Sequence, residues 1–324
     1  AFQTSYGGIF DVAILKYDST GHQLLYASYL GGSYSETPHS LVMDKNQNLL
    51  VLGTTSSSNF PVTPTAFQQQ FHGGNPIPQL YSGKEIPIPY ETGSDLFISK
   101  ISKDGTTLLA STYLGGSDND GLNPNTSPLV KNYGDQMRGD IISDNLGNIF
   151  ISTVSSSPDF PVANSFNSTY QGGDTDAVIA KLTSDLSQVV WAAFMGGLAA
   201  DASHTIQLDQ AGNIFTGGGT ASTNFPATVG AYQPTLAGDV DGWMAKIKGD
   251  GSAILNCTFT GTALFNQVYF LDLDKNKNVY VYGQTVGSFP VTSGAYNNPN
   301  SGQFLQKFDS TLSTLQLSTV FGSG

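Results

Sequence analysis

The chain has one cysteine, Cys257, and one arginine, Arg138, in 324 residues. A lone cysteine excludes an internal disulfide, so packing and hydrogen bonding must hold the fold. Charged residues are 12% of the total, against about 25% in soluble domains generally. The net charge is −12, with 13 lysines and arginines together. Binding a phosphate backbone or an anionic membrane surface requires clustered Lys or Arg, which argues against nucleic acid as a partner. No apolar run reaches the ~18 residues of a membrane-spanning helix, so membrane insertion is not expected. Sustained apolar spacing at i, i+3, i+4, i+7 is missing throughout, so helices should be absent or trivial. There is also no nucleophile elbow, H-E-x-x-H, P-loop or dinucleotide fingerprint, and no residue stands out as catalytic.

What the chain does have is a repeat. Lys16, Lys100, Lys181, Lys246 and Lys307 are each followed, at one fixed interval, by a glycine: Gly31, Gly115, Gly196, Gly261 and Gly322. Each lysine closes a D-x-x-x-x-K run that starts at Asp11, Asp95, Asp176 or Asp241, with Gly302 in the aspartate slot of the fifth copy. Y-L-G-G follows at Tyr29 and Tyr113, decaying to F-M-G-G at Phe194 and F-T-G-T at Phe259. Next come a D-x-x-x-N turn (Asp44, Asp144, Asp209, Asp274) and an F-P pair (Phe60, Phe160, Phe225, Phe289), then A-F, S-F or A-Y. Between these marks lie short β-branched and aromatic runs bounded by turn residues, four per unit, which read as antiparallel strands. A four-stranded sheet built repeatedly predicts an all-β fold, a β-propeller with four complete blades and a partial one.

The motif order D-x-x-x-x-K, Y-L-G-G, D-x-x-x-N and F-P-x-x…A-F resembles the seven-bladed β-propeller (SBBP) repeat family, and the resemblance runs through nearly the whole chain. It implies a scaffold repeat found in large secreted and surface proteins, so an extracellular or cell-surface location is expected. With the innermost strand first, residues 1–31 supply the outer strands of a partial blade, and 38–115, 137–196, 203–261 and 267–322 are complete blades. Both ends fall inside the repeat, which leads to the expectation that the natural protein continues past at least one of them.

The first two units carry about 20 residues more than the last two, and long insertions in compact repeats tend to be functional or disordered. The insertions span 75–90 and 118–135. They join different strand pairs, from which opposite faces of the disc are expected. Their tyrosines, Tyr81, Tyr90 and Tyr133, are candidate contact residues, because tyrosine offers large rigid amphipathic area at low entropic cost. His39, His204 and Tyr269 share one column at the start of the innermost strand, with Gly139 in the second blade, and should lie near one mouth of the axial channel. Packed histidines are the ordinary alternative.

Asp44-Lys45-Asn46-Gln47-Asn48 and its counterpart at Asp274 alternate like the start of a calcium loop, yet the sixth position is Leu49 or Val279 where glycine is needed. A hairpin turn is the better reading. The crowded oxygen donors Asp118, Asp120 and Asn123 are a stronger cation candidate, with calcium as the cofactor such a loop would take; a solvated acidic loop is the plainer alternative. Repetition marks the lysines as structural, each laying its stem along the neighbouring blade to meet an acceptor. Arg138-Gly139-Asp140 spells an adhesion tripeptide but precedes a strand start, where its backbone belongs in a ladder. Cys257 shares a column with Ala27, Ser111, Ala192 and Ser318 and reads as a small packed group.

Three functions fit these observations. The first is a non-enzymatic secreted or surface module for binding, adhesion or scaffolding, which contacts a protein, a polysaccharide or other domains of the same larger chain through the inserted loops. The second is a lectin or polysaccharide-active enzyme with its site at the axial mouth. The third is a rigid spacer with no ligand.

Overall fold

The computed structural model describes residues 1–78, 87–132 and 134–322. Every regular element among them is a β-strand, and all pairing between those strands is antiparallel. The first sheet holds two strands, β1 (Val12–Tyr17) and β2 (Leu24–Leu30). Four strands in sequence order make each of the next four sheets. The second sheet is β3 (Glu36–Met43), β4 (Leu49–Thr55), β5 (Asp95–Ile101) and β6 (Leu108–Leu114). The third is β7 (Asp140–Ser143), β8 (Ile149–Ser155), β9 (Asp176–Leu182) and β10 (Val189–Met195). The fourth is β11 (Asp201–Leu208), β12 (Ile214–Thr220), β13 (Asp241–Ile247) and β14 (Ile254–Thr260). The fifth is β15 (Asn266–Leu273), β16 (Val279–Thr285), β17 (Gln303–Phe308) and β18 (Leu315–Phe321). First strands of successive sheets touch, β3 to β7, β7 to β11 and β11 to β15, so they line the inside of the arc.

Residues in the middle sheets are apolar on both faces because both faces are covered. β8 and β12 are buried at every position, whereas β16 alternates buried and half-buried, as a strand with one open face must. A separate apolar cluster fills each junction between neighbouring sheets. The repeated F-P phenylalanine belongs to these clusters. Phe60 stacks on Phe97 at 4.5 Å and Phe289 on Phe304 at 4.2 Å, and Phe225 packs tilted against Trp243 at 4.9 Å between ring centres. In this way the loop that leaves the second strand is clamped onto the third.

The D-x-x-x-N segments are hairpin turns. Asp44 accepts from the Asn46 and Asn48 amides at 2.8 and 2.9 Å, and Asp144, Asp209 and Asp274 repeat the pattern. The fourth residue of each turn has positive φ, as Gln47, Gly147, Gly212 and Lys277. These carboxylates also receive the repeated lysines: Lys100 meets Asp44 at 2.9 Å, Lys246 meets Asp209 at 3.6 Å and Lys307 meets Asp274 at 3.7 Å. The ionic partner therefore lies in the lysine's own sheet. Reach to the next sheet is confined to carbonyls, Lys16 to Lys103 and Lys100 to Ser184. Cys257 is buried opposite Ala245, as its column requires.

A second repeated device joins one sheet to the next. The aspartate opening each third strand faces the residue opening the following inner strand: Asp11 with Glu36, Asp95 with Asp120, Asp176 with Asp201, Asp241 with Asn266. The first glycine of Y-L-G-G sits between the pair. A Cβ on Gly196 would lie 2.3 Å from Asp176 Oδ1 and 2.9 Å from Asp201 Oδ2. The second glycine donates its amide to the incoming carboxylate, Gly32 to Glu36 at 2.9 Å, Gly116 to Asp120 and Gly197 to Asp201 both at 2.7 Å. Where the motif decays to F-T-G-T the acid slot holds Asn266, which donates to the Thr262 and Leu264 carbonyls. Loss of the acid and loss of the second glycine thus go together.

Inner strands begin earlier than the apolar runs suggest, at Glu36, Asp201 and Asn266, because pairing extends outward to these junction residues. The insertions differ from expectation in a more consequential way. In an antiparallel sheet the second-to-third loop and the sheet-to-sheet crossover leave from the same end, so both insertions project from one face and not from opposite faces. They touch there: Asn119 Nδ2 donates to the Asn75 carbonyl at 3.1 Å, and Tyr90 and Leu122 share a buried cluster with Ile77, Ile88 and Met137.

Burial raises the carboxyls of Asp95, Asp176 and Asp201 to about 7 from an ordinary 3.8, with the Asp201 charge adding to the effect at Asp176. The folded state thus keeps protons that the unfolded chain releases. The resulting stabilisation is full below the ordinary carboxylate range and lost as pH rises through about 7. At the turn aspartates burial pushes upward, but hydrogen bonds, with Lys100 at Asp44, outweigh it, so their contribution fades only below that window. The melting midpoint is expected to rise as pH is lowered from about 8 to about 5. Asp201→Asn should flatten that slope in a calorimetric series.

Candidate functional site

The inner strands carry a one-residue irregularity that decides where the axial side chains point. In β3, Pro38 pairs with Gly53 and Ser40 with Leu52, leaving His39 unpaired. β11 does the same at His204 and β15 at Tyr269. The candidate column is thus a column of β-bulge residues, re-aimed by the extra residue. Glycine stands opposite each bulge for a steric reason. A Cβ on Gly53 would lie 2.3 Å from the Thr37 carbonyl oxygen, one on Gly218 1.9 Å from that of Ala202 and one on Gly283 2.3 Å from that of Gln267.

The second insertion lies across this column. Where β3 needs only the short step from Glu36 to Ser40, the third sheet runs from Asp120, bridged to Ser155, around to Asp140. Leu129 anchors the excursion in an apolar cluster with Val154, Ala202 and Val240, drawn from the third and fourth sheets. Beyond it, Asp135 accepts the Lys131 and Asn132 amides at 2.9 and 2.7 Å and ion-pairs with Arg138 at 3.0 Å. The Arg138 guanidinium lies 4.0 Å over the Tyr269 ring, a cation–π contact with the fifth sheet. Asn132 Nδ2 donates to Tyr269 Oη at 3.0 Å and also to Gln284. Tyr269 Oη lies 3.0 Å from Gln284 Oε1 and 3.3 Å from Asp135 Oδ2, and donates toward them.

His204 lies 5.8 Å from Tyr269, centre to centre, so the structure brings these two candidates together. Its Nδ1 donates to the Val268 carbonyl at 3.0 Å, leaving Nε2 to accept from Gln267 at 3.2 Å. Burial, helped by the Arg138 charge, drops its pKa to about 4. His39 is separate from that pair. It contacts Thr54 at 3.2 Å and looks toward Gly121 and Gly139, and burial lowers its pKa to about 3. Both imidazoles are neutral near pH 7. A shared metal between them is not supported: among the described residues no group of three or more His, Cys, Asp or Glu could hold an ion.

The other candidates are placed differently from expectation. Tyr90 is 0% exposed, its hydroxyl tied to Thr37 and Thr54 on β3 and β4, so it braces the first insertion and cannot be a contact residue. Tyr81 and Tyr133 lie outside the described residues. Asp120 is a buried junction carboxylate, taken up by Ser155, Ser157 and Gly116. Asn123 is bound to Asp135 and Thr175, and Asp118 approaches Ser157 through its backbone. These three do not converge, because sheet-to-sheet bonding has claimed Asp120 and Asn123 separately. Asp140 joins the sheets by accepting from Ser40 and the Ile206 amide, which engages the aspartate of the Arg138-Gly139-Asp140 tripeptide between sheets. The residues missed were Asn132, Asp135, Arg138, Gln267 and Gln284. One available signal was the chain's lone arginine, three positions from an aspartate.

Asn132, Asp135, Arg138, Tyr269 and Gln284 bond one another as a polar strut, whereas Gln267 Oε1 and His39 Nδ1 are buried without a hydrogen-bond partner among the described residues. Replacing Arg138 with methionine would strip the buried Asp135 of its charge partner and lift the cover from Tyr269. A loss of about 1–3 kcal/mol in denaturant-unfolding stability is expected.

Comparison with known proteins agrees with the repeat. Residues 25–61 match the SBBP family, a beta-propeller repeat. The resemblance read from the motifs is borne out there. No curated protein matches the chain. Among solved structures, a protein of unknown function from Bacteroides caccae is 9% identical, with a TM-score of 0.41 over 92% of this chain and 72% of that one. Another of unknown function, from Dyadobacter fermentans, is 10% identical, with a TM-score of 0.43 over 93% and 68%. BamB from Moraxella catarrhalis is 8% identical, with a TM-score of 0.28 over 96% and 83%.

Proposed function

We propose that this chain, which carries the SBBP beta-propeller repeat, is a non-enzymatic binding and scaffolding module of a secreted or cell-surface protein. Its partner, a protein or a surface polysaccharide, docks on the face where the two insertions meet. The observation that carries this reading is the convergence of both insertions on one end of the sheets, while the hairpin turns at Asp44, Asp144, Asp209 and Asp274 keep the opposite end short. Two of the three candidate tyrosines, Tyr81 and Tyr133, belong in sequence to these two insertions. The nearby carboxylates support a role without turnover. Asp120 is enclosed between sheets and Asp135 is locked by Arg138, so neither is placed to transfer a proton to a substrate.

Incubation with a panel of bacterial surface polysaccharides and envelope proteins tests this. Saturable binding without release of reducing ends is expected, and Tyr81→Ala with Tyr133→Ala should weaken it at least tenfold. Glycan cleavage that disappears in Asp135→Asn would replace this reading with an enzyme at the axial mouth.

A further inference from the structure

At the hairpin-turn end, the seam between the third and fourth sheets is closed differently from the seams before it. Phe150, Lys181 and Trp191 stand side by side across β8, β9 and β10. In the two preceding units the repeated lysine reaches the carbonyl three residues past the next repeated lysine, Lys16 to Lys103 at 2.9 Å and Lys100 to Ser184 at 3.4 Å. The matching acceptor for Lys181 is the Gly249 carbonyl, and the Trp191 indole has taken it, Nε1 donating at 3.2 Å. That column holds Tyr26, Ala110, Asn256 and Leu317 in the other units, so the tryptophan is particular to this one. The seam between the second and third sheets is also crossed by Lys45, which donates to the Asn145 carbonyl at 2.7 Å. In the third sheet the same turn position is Asn145 itself, which has no ammonium to send across. Around Lys181 lies a groove of about 520 Å³, lined by Asp144, Phe150 and Val190 of the third sheet and Asn213, Lys248 and Asp250 of the fourth. Its volume is within the ~300–1,000 Å³ of small-molecule sites.

We propose that this groove binds a sugar acid, a hydroxylated ring carrying one carboxylate, with Lys181 as the partner of that carboxylate. The four charged side chains of the groove are not equivalent. Asp144 accepts the Leu146 and Asn148 amides at 2.9 and 2.8 Å and the Asn148 side chain at 2.7 Å, all within its own turn. Lys248 and Asp250 pair with each other at 2.8 Å on the rim. Lys181 makes neither an ion pair nor a hydrogen bond among the described residues. The other four repeated lysines each meet an oxygen, Lys16 a carbonyl and Lys100, Lys246 and Lys307 a turn aspartate. The Lys181 ammonium lies 5.0 Å over the Phe150 ring, which holds its position but supplies no oxygen to its three N–H donors. A ligand carboxylate gives the charge-assisted hydrogen bond that is missing. Asn213 and Asp250 carry side-chain oxygens for ring hydroxyls, and the exposed Val190 offers an apolar edge to a ring face. Asp144 and Asp250 also set a limit on charge, because a doubly charged phosphate meets more repulsion from them than a single carboxylate does. The groove is at the end of the sheets opposite the insertions, and this inference does not rest on the reading of that other face.

Calorimetric titration of the full chain with a galacturonic acid trimer tests this, with the neutral galactose trimer and inorganic phosphate as comparison arms. Saturable binding of the acid trimer is expected, weakening as salt is raised. Lys181→Met should weaken it at least about tenfold. Trp191→Phe keeps an aromatic ring but returns the Gly249 carbonyl to Lys181, and should weaken binding at least about threefold. Lys103→Ala, on an exposed turn of the second sheet, should leave binding unchanged. Tyr81→Ala with Tyr133→Ala should also leave it unchanged, so failure here is distinguishable from failure at the insertion-bearing face. Methionine keeps the packing of the lysine stem, so the melting midpoint should hold; if it falls, Trp191→Phe and the neutral trimer decide. No saturable binding, equal binding of the neutral trimer, or undiminished binding by a folded Lys181→Met chain overturns the proposal. Phosphate bound as tightly as the acid trimer overturns the choice of ligand.

Discussion

The packing of one sheet's face on the next is the constraint from which the rest follows. A strand buried on both sides cannot alternate polar and apolar residues, so the middle sheets read as nearly continuous apolar or small-residue runs such as I-F-I-S-T-V-S in β8. The packed F-P phenylalanines and the lysines clamped on turn aspartates fix the second, fourth and fifth sheets internally. The carboxylate–glycine junctions then set how the next sheet docks. These junctions place two acids around one glycine in a dry seam, where ionisation is unfavourable unless amides and hydroxyls surround them. That is why the glycines are doubled: one makes room and the other donates its amide.

Against this regular background the second insertion is the irregular part with structural consequences. It leaves from within an inner strand and crosses the arc to Tyr269 and Gln284 on the fifth sheet. Sheets adjacent in sequence are held by apolar seams, but the third and fifth are linked by Asp135, Arg138 and Asn132. A buried ion pair with a cation–π cover is demanding in geometry, and its removal leaves a charge without compensation. Such a strut favours one arrangement of the arc over splayed alternatives. His204 of the bulge column packs against Tyr269 of this strut, His39 stands apart beside Thr54, and both are neutral at ordinary pH.

The first and last sheets set the limits of this packing. β1 and β2 expose Leu15, Tyr17 and Leu25, and the far face of the fifth sheet exposes Phe270. These are the residue types that the inner junctions bury, standing where no neighbour covers them.

The order of strands, their pairing within sheets and the turn type were legible from the chain, because a motif repeated in several copies averages away local ambiguity. D-x-x-x-N turns and the small slot of Cys257 report contacts within one unit, which spacing can express, whereas the lysines, expected along the neighbouring blade, find their ionic partner in their own sheet. What spacing could not express is direction. The shared end of both insertions follows from antiparallel geometry, and the burial of Tyr90 follows from Thr37 and Thr54 lying within reach of its hydroxyl. Asp120 looked like loop acid until its pairing with Ser155 put it in the junction column. The meeting of Asp135, Arg138, Tyr269 and Gln284 joins residues more than a hundred positions apart, chosen by the curvature of the stacked sheets. The repeat by itself determined the unit and its internal bonds. Only the tertiary arrangement decided which irregular segments meet, because that depends on where each unit points once packed against its neighbour.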